Sequence, residues 1–398
     1  PAPARTGPAV EQDPNLWWQG VQEVLYDLLQ RIDPARVQAI CVDGTSGTVL
    51  VTDAAGTPLA PALMYNDRRG VDEASRIARH APTESAAQGA SSGLAKLLYL
   101  QSQQPQARHA LHQADWIAGK LCHRFDASDA NNALKTGYDV INNEWPSWLD
   151  KLGINRSILP QVYPPGRCIG TINKHWSAHF KLPASTRIMA GTTDSIAAFI
   201  ATGASLPGEA VTSLGSTLVL KIISERPIFA PQFGIYSHRL GNLWLAGGAS
   251  NSGGAVLRQF FTDEQMQTMT PLLTPEQPTE LGYYPLPATG ERFPINDAAL
   301  QPRLTPRPAN DALFFQGMLE AMARIEHDGY KKLHQLGAPT LRHVKTAGGG
   351  SCNPAWRKIR QQELGVEVVT ANHTEACYGS ALLAQQEYNA QRANVKKQ

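Results

Sequence analysis

Apolar positions recur along this chain with two periods, one typical of helices and one typical of strands. After Asp13-Pro14, apolar side chains return every three to four residues, which predicts a helix with one face turned to a core. The aspartate is suited to cap this helix, and the proline fits its first turn. The predicted core stripe consists of Trp17, Trp18, Val21, Val24, Leu25, Leu28 and Leu29.

Shorter apolar runs that end in glycine or small polar residues predict strands, and they alternate with helical patterns. The expected strands cover residues 37–42, 48–52, 187–190, 211–223 and 343–346, with a hairpin turning at Gly241-Asn242. The expected helices cover residues 195–201, 312–336, 354–363 and 374–388, and residues 91–121 are expected to be mostly helical. The Lys396-Lys397 end is expected to fray. This alternation predicts an α/β fold.

Length and composition narrow the class of protein. With 398 residues, the chain is long for one core, so two domains are expected. A formal net charge of +2, without a block of like charge, argues against nucleic acid as the main partner. Apolar runs stay well short of the roughly 20 residues that span a bilayer, so no membrane partner is expected. Five scattered cysteines fit reduced thiols in a cytoplasmic enzyme.

Asp194 is the first candidate for chemistry. It follows a short predicted strand, and about twenty residues later a turn holds Gly215, Ser216 and Thr217. A carboxylate that takes a hydroxyl proton and a turn that holds phosphates are what phosphoryl transfer to an alcohol requires. The plainer alternatives are a helix-capping aspartate and an ordinary hairpin turn.

A second glycine cluster, Gly348-Gly349-Gly350, lies between a predicted strand and a predicted helix, with Asn353 and Trp356 close behind. Such a unit lets the backbone approach a nucleotide, although a tight turn before a helix would look the same. The chain contains neither a GxxxxGK[ST] phosphate loop nor a spaced GxGxxG fingerprint. A dinucleotide-dependent dehydrogenase is therefore disfavoured.

The polar turn 43–47 carries the hydroxyl of Ser46 between two apolar runs. This hydroxyl is a candidate contact for a polyol in a cleft, while the alternative is a simple hairpin. Residues 65–69 could add sugar contacts or form a charged surface turn. The eleven histidines lack the spacing of metal ligands.

Together these segments resemble the FGGY family of carbohydrate kinases, which fold as two actin-like domains. The resemblance runs almost end to end and is carried by residues 11–18, 43–47, 65–69, 159–166, 191–194, 214–217, 290–294, 348–353 and 375–379. Within the family, residues 44–50 and 192–199 look most like the D-ribulose kinase branch of cyanobacteria and plastids, often labelled xylulose kinase-like.

The resemblance implies an α/β fold with two actin-like ATPase (ribonuclease H-like) domains and a cleft between them. Residues 1–202 with 374–398 would form the sugar-binding domain, and residues 203–373 the nucleotide-binding domain. Asp194 would be the general base, contact the substrate and help to hold Mg²⁺, while Ser46 would contact the sugar. The implied ATP contacts are Gly215, Ser216 and Thr217 at the phosphates and Gly349, Asn353 and Trp356 at the adenosine.

One departure from the family is visible at the start of the chain. The family opens with a hairpin carrying Asp-x-Gly-Thr-Ser, whereas this sequence starts at Pro1-Ala2-Pro3, so the hairpin is expected to be missing here. The turn 43–47 mimics that motif, but its neighbours identify it as the next strand pair of the family. Without the hairpin, poor binding and slow or absent turnover are expected.

The expected function is ATP-dependent phosphorylation of the terminal hydroxyl of a small ketose, with D-ribulose as the first choice. The alternatives are a xylulokinase or another polyol kinase of the same family, and a non-catalytic sugar- or nucleotide-binding pseudokinase. The expected cofactors are ATP and Mg²⁺, the expected partners are small molecules, and the chain is expected to act as a monomer or homodimer.

Overall fold

The computed structural model describes residues 2–395, which form two compact units. The first unit runs up to Ala201 and resumes at Glu375, and the second unit is Thr202–Thr374. The expected fraying of Lys396-Lys397 lies outside the described residues. Each unit has its own sheets and its own buried apolar clusters.

The regular elements of both units are numbered in chain order. The strands are β1 (Ala4–Thr6), β2 (Ala9–Gln12), β3 (Ala39–Gly44), β4 (Val49–Thr52), β5 (Ala62–Leu63), β6 (His109–His112), β7 (Ala127–Asp129), β8 (Gln161–Tyr163), β9 (Cys168–Thr171), β10 (Arg187–Thr193), β11 (Glu209–Leu214), β12 (Leu218–Ser224), β13 (His238–Leu240), β14 (Leu243–Ser250), β15 (His343–Ala347) and β16 (Glu367–Thr370). The helices are α1 (Pro14–Leu29), α2 (Val71–Ala78), α3 (Gly93–Gln103), α4 (Gln113–Cys122), α5 (Ala130–Ala133), α6 (Lys174–Phe180), α7 (Asp194–Ala201), α8 (Gly254–Leu257), α9 (Asp263–Met269), α10 (Asp311–Gln335), α11 (Pro354–Leu364) and α12 (Ala376–Val395).

The sheet that matters most in the first unit has the strand order β3-β10-β9. Strand β10 is parallel to β3, with Thr192 opposite Asp43, and antiparallel to β9. The β3–β10 register shifts around Gly191, where an added Cβ would lie 2.0 Å from the carbonyl oxygen of Val42. Glycine is needed at this position because the two backbones approach too closely for any side chain.

Helix α7 follows β10 directly and packs across α12. The two helices meet at Gly379, where an added Cβ would lie 1.8 Å from the carbonyl oxygen of Ala197. Because Gly379 has no side chain, the backbones of α7 and α12 can approach closely at Ala197, three residues after Asp194. Through this contact, the last helix of the chain supports the position of Asp194.

One sequence prediction in this unit was wrong, and one strand was missed. The run 48–52 was expected to return beside the strand before it, but β4 instead pairs with β5 and β6 in an antiparallel sheet of order β1-β2-β5-β4-β6. The segment 91–121 is mostly helical as expected, but it also contains β6 between its two helices. Strand β6 was missed because its four residues lie inside a long apolar pattern that resembles continuous helix.

Helix α1 forms as predicted, and Asp13 caps it by accepting from the N–H of Asn15 at 2.9 Å. Its stripe is only partly buried, because Val24 is 65% and Leu28 is 47% exposed. The prediction that all seven stripe residues face a core is therefore wrong. The exposed members line an apolar groove of about 1100 Å³ beside β3, which among the described residues pairs only with β10.

The second unit is built on one six-stranded sheet of order β13-β14-β12-β11-β15-β16. Strands β11, β15 and β16 run parallel, and the predicted hairpin at Gly241-Asn242 joins β13 to β14. Helix α10 packs on this sheet, with Asn310 as its cap. Its buried apolar side chains are Phe314, Phe315, Met318, Leu319, Met322, Ile325 and Leu333.

Over the described part of the chain, no helix combines the length and the apolar character needed to cross a membrane.

Candidate active site

Asp194 lies where β10 ends and α7 begins. Its carboxylate is half-buried, and Oδ1 accepts from the N–H of Ser195 at 2.6 Å. The carboxylate thus lies in the first turn of α7, where backbone N–H groups are available as donors. The capping alternative and the catalytic prediction are therefore compatible, because one carboxylate oxygen can bond the helix while the group remains a base.

Asp43 is a second carboxylate at the same edge of the sheet, and sequence reasoning had given it no role. It stands opposite Thr192 in the β3–β10 register, and its Oδ2 accepts from the hydroxyl of Ser380 on α12 at 2.7 Å. Asp43 and Asp194 both line the groove beside β3. The available signal was their shared position, each at the carboxyl end of a strand, but the sequence did not show that the two strands are neighbours.

The two carboxylates fit a magnesium ion better than a metal with many protein ligands. Mg²⁺ is commonly held by one or two carboxylates, while phosphate and water supply the other oxygens. Among the described residues, no group of three or more His, Cys, Asp or Glu side chains is arranged to hold a metal. Asp194 and Asp43 could therefore hold Mg²⁺ together with the oxygens of a phosphate and of water.

The turn that contains Ser46 is fixed by its neighbours. The N–H and hydroxyl of Thr45 both donate to Oε1 of Gln113, at 2.9 and 3.0 Å. The hydroxyl of Ser46 is buried and has no hydrogen-bond partner among the described residues. Because a buried hydroxyl without a partner is costly, this group is available to a polar ligand.

Lys96 lies beside this turn and was not singled out by the sequence. Its Nζ donates to the carbonyl oxygens of Met64 and Tyr65, at 2.9 and 3.2 Å. An added Cβ at Gly47 would lie 3.9 Å from the same Nζ. Burial lowers the pKa of Lys96 to about 7, so the amine is only partly charged at neutral pH. Lys96 thus ties the segment 64–65 to the Ser46 turn.

Within residues 65–69, Asp67 and Arg69 form a partly buried ion pair, while Tyr65 and Arg68 are exposed. Asp67 is fully buried and accepts from the N–H of Val10 at 2.7 Å and from Nε of Arg69 at 3.0 Å. Arg69 also pairs with Glu11 at 2.8 Å. The Asp67–Arg69 pair therefore anchors this segment to β2. The alternative of a charged surface turn fits only Tyr65 and Arg68.

Three further titratable groups of the first unit are buried: His112, Asp115 and Asp129. Burial, with a smaller contribution from Lys96, lowers the pKa of His112 to about 3, so its ring is neutral. Burial also raises the pKa of Asp129 to about 6, although Asp129 caps α5 through the N–H groups of Asn131 and Asn132. The pKa of Asp115 is raised as well, by burial and then by the charge of Asp129. At neutral pH His112 therefore carries no charge, while burial opposes the ionisation of Asp115 and Asp129.

The nucleotide prediction concerns a separate cavity of about 700 Å³, which lies within the second unit. Its volume suits a ligand of nucleotide size. Five of the six predicted ATP contacts line it: Gly215, Ser216, Gly349, Asn353 and Trp356. Thr217 is the sixth predicted contact, and it lies in the same turn without lining the cavity.

The turn between β11 and β12 is closed by its own backbone and by α8. The N–H of Gly215 donates to the carbonyl of Thr217 at 3.2 Å. The N–H groups of Gly254 and Ala255 donate to the carbonyls of Gly215 and Ser216, at 2.9 and 3.1 Å. The donors of this turn that line the cavity and can meet a phosphate are therefore the hydroxyl and N–H of Ser216, with Thr217 next to it in the turn.

Asn353 and Trp356 shape the opposite wall of this cavity. Asn353 caps α11, because its Oδ1 accepts from the N–H of Trp356 at 2.9 Å, and its Nδ2 donates to Thr270 Oγ1 at 3.1 Å. The Trp356 ring is 4% exposed and packs against Gly350, where an added Cβ would lie 2.5 Å from Cζ3. Both side chains thus have structural contacts in addition to any contact with adenosine.

Arg258 is a cationic lining residue that the sequence did not reveal. It follows α8 directly, lies beside Gly254 and pairs with Asp263 at 3.1 Å. Its guanidinium is about half exposed, so it can meet a ligand phosphate. No local motif marked it, because its position in the cavity depends on how α8 meets the Gly215 turn.

Comparison with known proteins identifies the family. The profile of the FGGY carbohydrate kinase N-terminal domain matches residues 4–201, and that of the C-terminal domain matches residues 210–386. The xylulose kinase of Escherichia coli is 24% identical over 97% of this chain and 83% of its own length. A ligand-bound xylulose kinase from Lactobacillus acidophilus superposes with a TM-score of 0.84 at 20% identity, covering 98% of this chain and 83% of that one.

A glycerol kinase from Plasmodium falciparum, solved with ADP, also has a TM-score of 0.84, at 16% identity over 98% of this chain and 84% of that one. At these identities the superpositions establish the two-domain α/β fold, and the two family profiles cover nearly all of the chain. The chain therefore belongs to the FGGY family of carbohydrate kinases, enzymes that phosphorylate sugars.

Proposed function

We propose that this kinase transfers the γ-phosphoryl group of ATP to the terminal hydroxyl of a small ketose, with D-ribulose as its substrate. The observation that carries the proposal is the position of Asp194, a half-buried carboxylate at the carboxyl end of β10, on the same groove as Asp43. The preference for ribulose rests on the resemblance of residues 44–50 and 192–199 to the ribulose kinase branch.

In the proposed reaction, Asp194 accepts the proton of the terminal hydroxyl as the sugar oxygen attacks phosphorus. The hydrogen bond from the Ser195 N–H orients the carboxylate at the start of α7. Bound Mg²⁺ would neutralise charge on the phosphoryl oxygens. A base of this kind contributes about 10²- to 10⁴-fold to the rate, and positioning supplies much of the rest.

Ser46 and Lys96 would form the sugar side of the site. The unpartnered hydroxyl of Ser46 would bond a sugar hydroxyl, and Lys96 would hold the neighbouring segment in place through Met64 and Tyr65. In the second unit, Ser216 and Thr217 would bind the ATP phosphates, while Gly349, Asn353 and Trp356 would lie beside the adenosine.

Xylulose is the second candidate substrate, because the Escherichia coli relative is named a xylulose kinase and matches nearly the whole chain. Ribulose and xylulose differ in the orientation of one hydroxyl, so the choice depends on a few hydrogen bonds. A site that bonds a substrate hydroxyl can reject the wrong isomer strongly, since its polar groups are then left unpaired.

The test is a coupled assay of ADP release with Mg-ATP and a panel of D-ribulose, D-xylulose, glycerol and no sugar. The proposal predicts sugar-dependent release with the highest kcat/KM for D-ribulose, and loss of that release in Asp194→Asn. A higher kcat/KM for D-xylulose than for D-ribulose would identify xylulose as the preferred substrate. Tight nucleotide or sugar binding without sugar-dependent release would favour the pseudokinase instead.

A further inference from the structure

A fully buried ion pair lies beneath the nucleotide cavity of the second unit. Arg360 on α11 donates through Nε and Nη2 to the carboxylate of Glu326 on α10, at 2.6 and 2.8 Å. Each side chain is 1% exposed. This pair is not among the residues that line the cavity, so nucleotide contact does not explain it.

The pair is hydrogen-bonded to two neighbouring parallel strands of the sheet, β11 and β15. Arg360 Nη1 donates to Thr346 Oγ1 on β15 at 2.8 Å, and Thr212 Oγ1 on β11 donates to Glu326 Oε1 at 2.5 Å. Thr212 and Thr346 are direct register partners. The hydroxyl of Tyr330, one helical turn beyond Glu326, lies 2.8 Å from Thr212 Oγ1 and completes the network.

These two strands lead into the two glycine turns of the cavity. Gly215 comes three residues after Thr212, and Gly349 comes three residues after Thr346. The turns are in contact, because an added Cβ at Gly348 would lie 2.7 Å from the carbonyl oxygen of Leu214. A small slip of one strand along the other would therefore open or close the space between the turns.

Stability alone is a weak explanation for such a pair. Removing two charges from water costs much of what their attraction returns, and apolar replacements of similar volume are often as stable or more stable. What an apolar pair cannot supply is the set of directional bonds to Thr212 and Thr346. We infer that Arg360 and Glu326 are positioning residues, which hold β11 and β15 in register so that the two glycine turns fit a nucleotide.

This inference rests on the proposed function in one respect, namely that the cavity binds nucleotide. The first test therefore uses the free protein. Hydrogen–deuterium exchange should be faster at residues 215–217 and 348–352 in Glu326→Gln and in Arg360→Met than in wild type. The matched control is Leu333→Ala, a fully buried side chain seven residues further along α10. It should lower the melting temperature without a selective change at the two turns.

The second test measures ADP binding by calorimetry and the sugar KM by kinetics. Both single variants should weaken ADP binding by about tenfold or more, while the sugar KM at saturating ATP stays within about twofold. The double variant Arg360→Met/Glu326→Leu should regain thermal stability without regaining ADP affinity. Thr346→Val, which removes only one hydroxyl from the network, provides a milder variant if the others fold poorly, and should weaken ADP binding in the same direction.

Unchanged exchange at both turns, or wild-type ADP affinity in the stable double variant, would overturn the inference. If the wild-type protein binds no ADP, the nucleotide half of the proposed function fails. The exchange measurement then decides the positioning role by itself, since it requires no ligand.

Discussion

Asp43 on β3 stands directly opposite Thr192 on β10, two residues before Asp194. The register brings two carboxylates from sequence positions about 150 residues apart to one edge of a parallel strand pair. Neither carboxylate lies in a sequence motif that identifies the other as its neighbour. The strand pairing thus creates the acidic edge on which the proposed chemistry depends.

Asp43→Asn should weaken the binding of Mg²⁺ by the enzyme. If Asp43 helps to hold the metal, the loss of one carboxylate charge should lower sugar-dependent turnover by about 10- to 100-fold at limiting Mg²⁺ and raise the Mg²⁺ concentration for half-maximal rate. Turnover measured across a Mg²⁺ titration checks this. Ser380→Ala removes the hydroxyl that bonds Asp43 but keeps the charge, so its effect should be smaller. Superimposable Mg²⁺ curves for Asp43→Asn and wild type would remove Asp43 from the metal site.

Gly191→Ala should destabilise the first unit. The added Cβ would lie 2.0 Å from the carbonyl oxygen of Val42, so β3 and β10 would have to separate. Overpacking of this kind costs about 1–3 kcal/mol, and occasionally more, and here it would also displace Asp194. The midpoint of chemical denaturation and the rate of sugar-dependent turnover should therefore both fall.

The matched control for that variant is Gly20→Ala, in helix α1. No atom lies within 4 Å of an added Cβ there, and helix propensity favours alanine by about 1 kcal/mol. Gly20→Ala should leave the protein as stable as wild type or more so. Equal denaturation midpoints for Gly191→Ala and Gly20→Ala would mean that the β3–β10 approach is not tight.

Lys96 should make stability depend on pH. Burial lowers the pKa of Lys96 to about 7 in the folded protein, from 10.5 in the unfolded chain. Between these two values the unfolded chain binds a proton that the folded protein does not, so the free energy of unfolding should rise with pH, by up to about 1.4 kcal/mol per unit. Lys96→Met should lower overall stability, because two carbonyls lose their donor, and should flatten this rise.

Urea denaturation of wild type and Lys96→Met at intervals from pH 6 to 10 measures that slope. The exposed Lys151→Met serves as the control and should retain the wild-type slope. A slope in Lys96→Met equal to that of wild type would show that Lys96 keeps its ordinary pKa in the folded protein.

Arg258→Ala should weaken nucleotide binding. Arg258 lines the cavity beside the Gly215 turn, and a charge-assisted bond to phosphate is worth enough to weaken ADP affinity by about tenfold when it is lost. The loss should shrink at high salt, because the side chain is half exposed. Arg307, another exposed arginine paired with an aspartate in the same unit, lies outside the cavity and supplies the control variant. If Arg258→Ala and Arg307→Ala bind ADP with the same affinity, Arg258 does not contact the nucleotide.

Local patterns were sufficient for most elements of the fold. The cap at Asp13, the amphipathic run of α10 and the Gly241-Asn242 turn each carry their signal within a few residues, and the structure contains the elements they predict. The α/β class and the family followed from such signals and from the order of the motifs. The short strand β6 was missed, since four residues inside an apolar stretch cannot be separated from helix by periodicity alone.

The site was less predictable, because its contacts come from residues far apart in sequence. Gly215, Gly349 and Trp356 were found through glycine-rich turns and do line one cavity. Asp43, Lys96 and Arg258 were missed as site residues, since each gains its place from strand pairing or helix packing. Helix α1 shows a related limit of prediction from sequence patterns. Its periodic stripe predicted burial, but Val24 and Leu28 are exposed, because periodicity identifies an apolar face without identifying what covers it.

The most direct measurement compares chemistry with binding in Asp194→Asn. We expect sugar-dependent ADP release to fall by about 10²- to 10⁴-fold, while ADP affinity measured by calorimetry and the melting temperature stay close to wild type. Asn keeps the size of the side chain and an oxygen that can accept from the Ser195 N–H, so the start of α7 should be preserved. Turnover near the wild-type rate, or equal losses of turnover and ADP affinity, would contradict the assignment of Asp194 as the base.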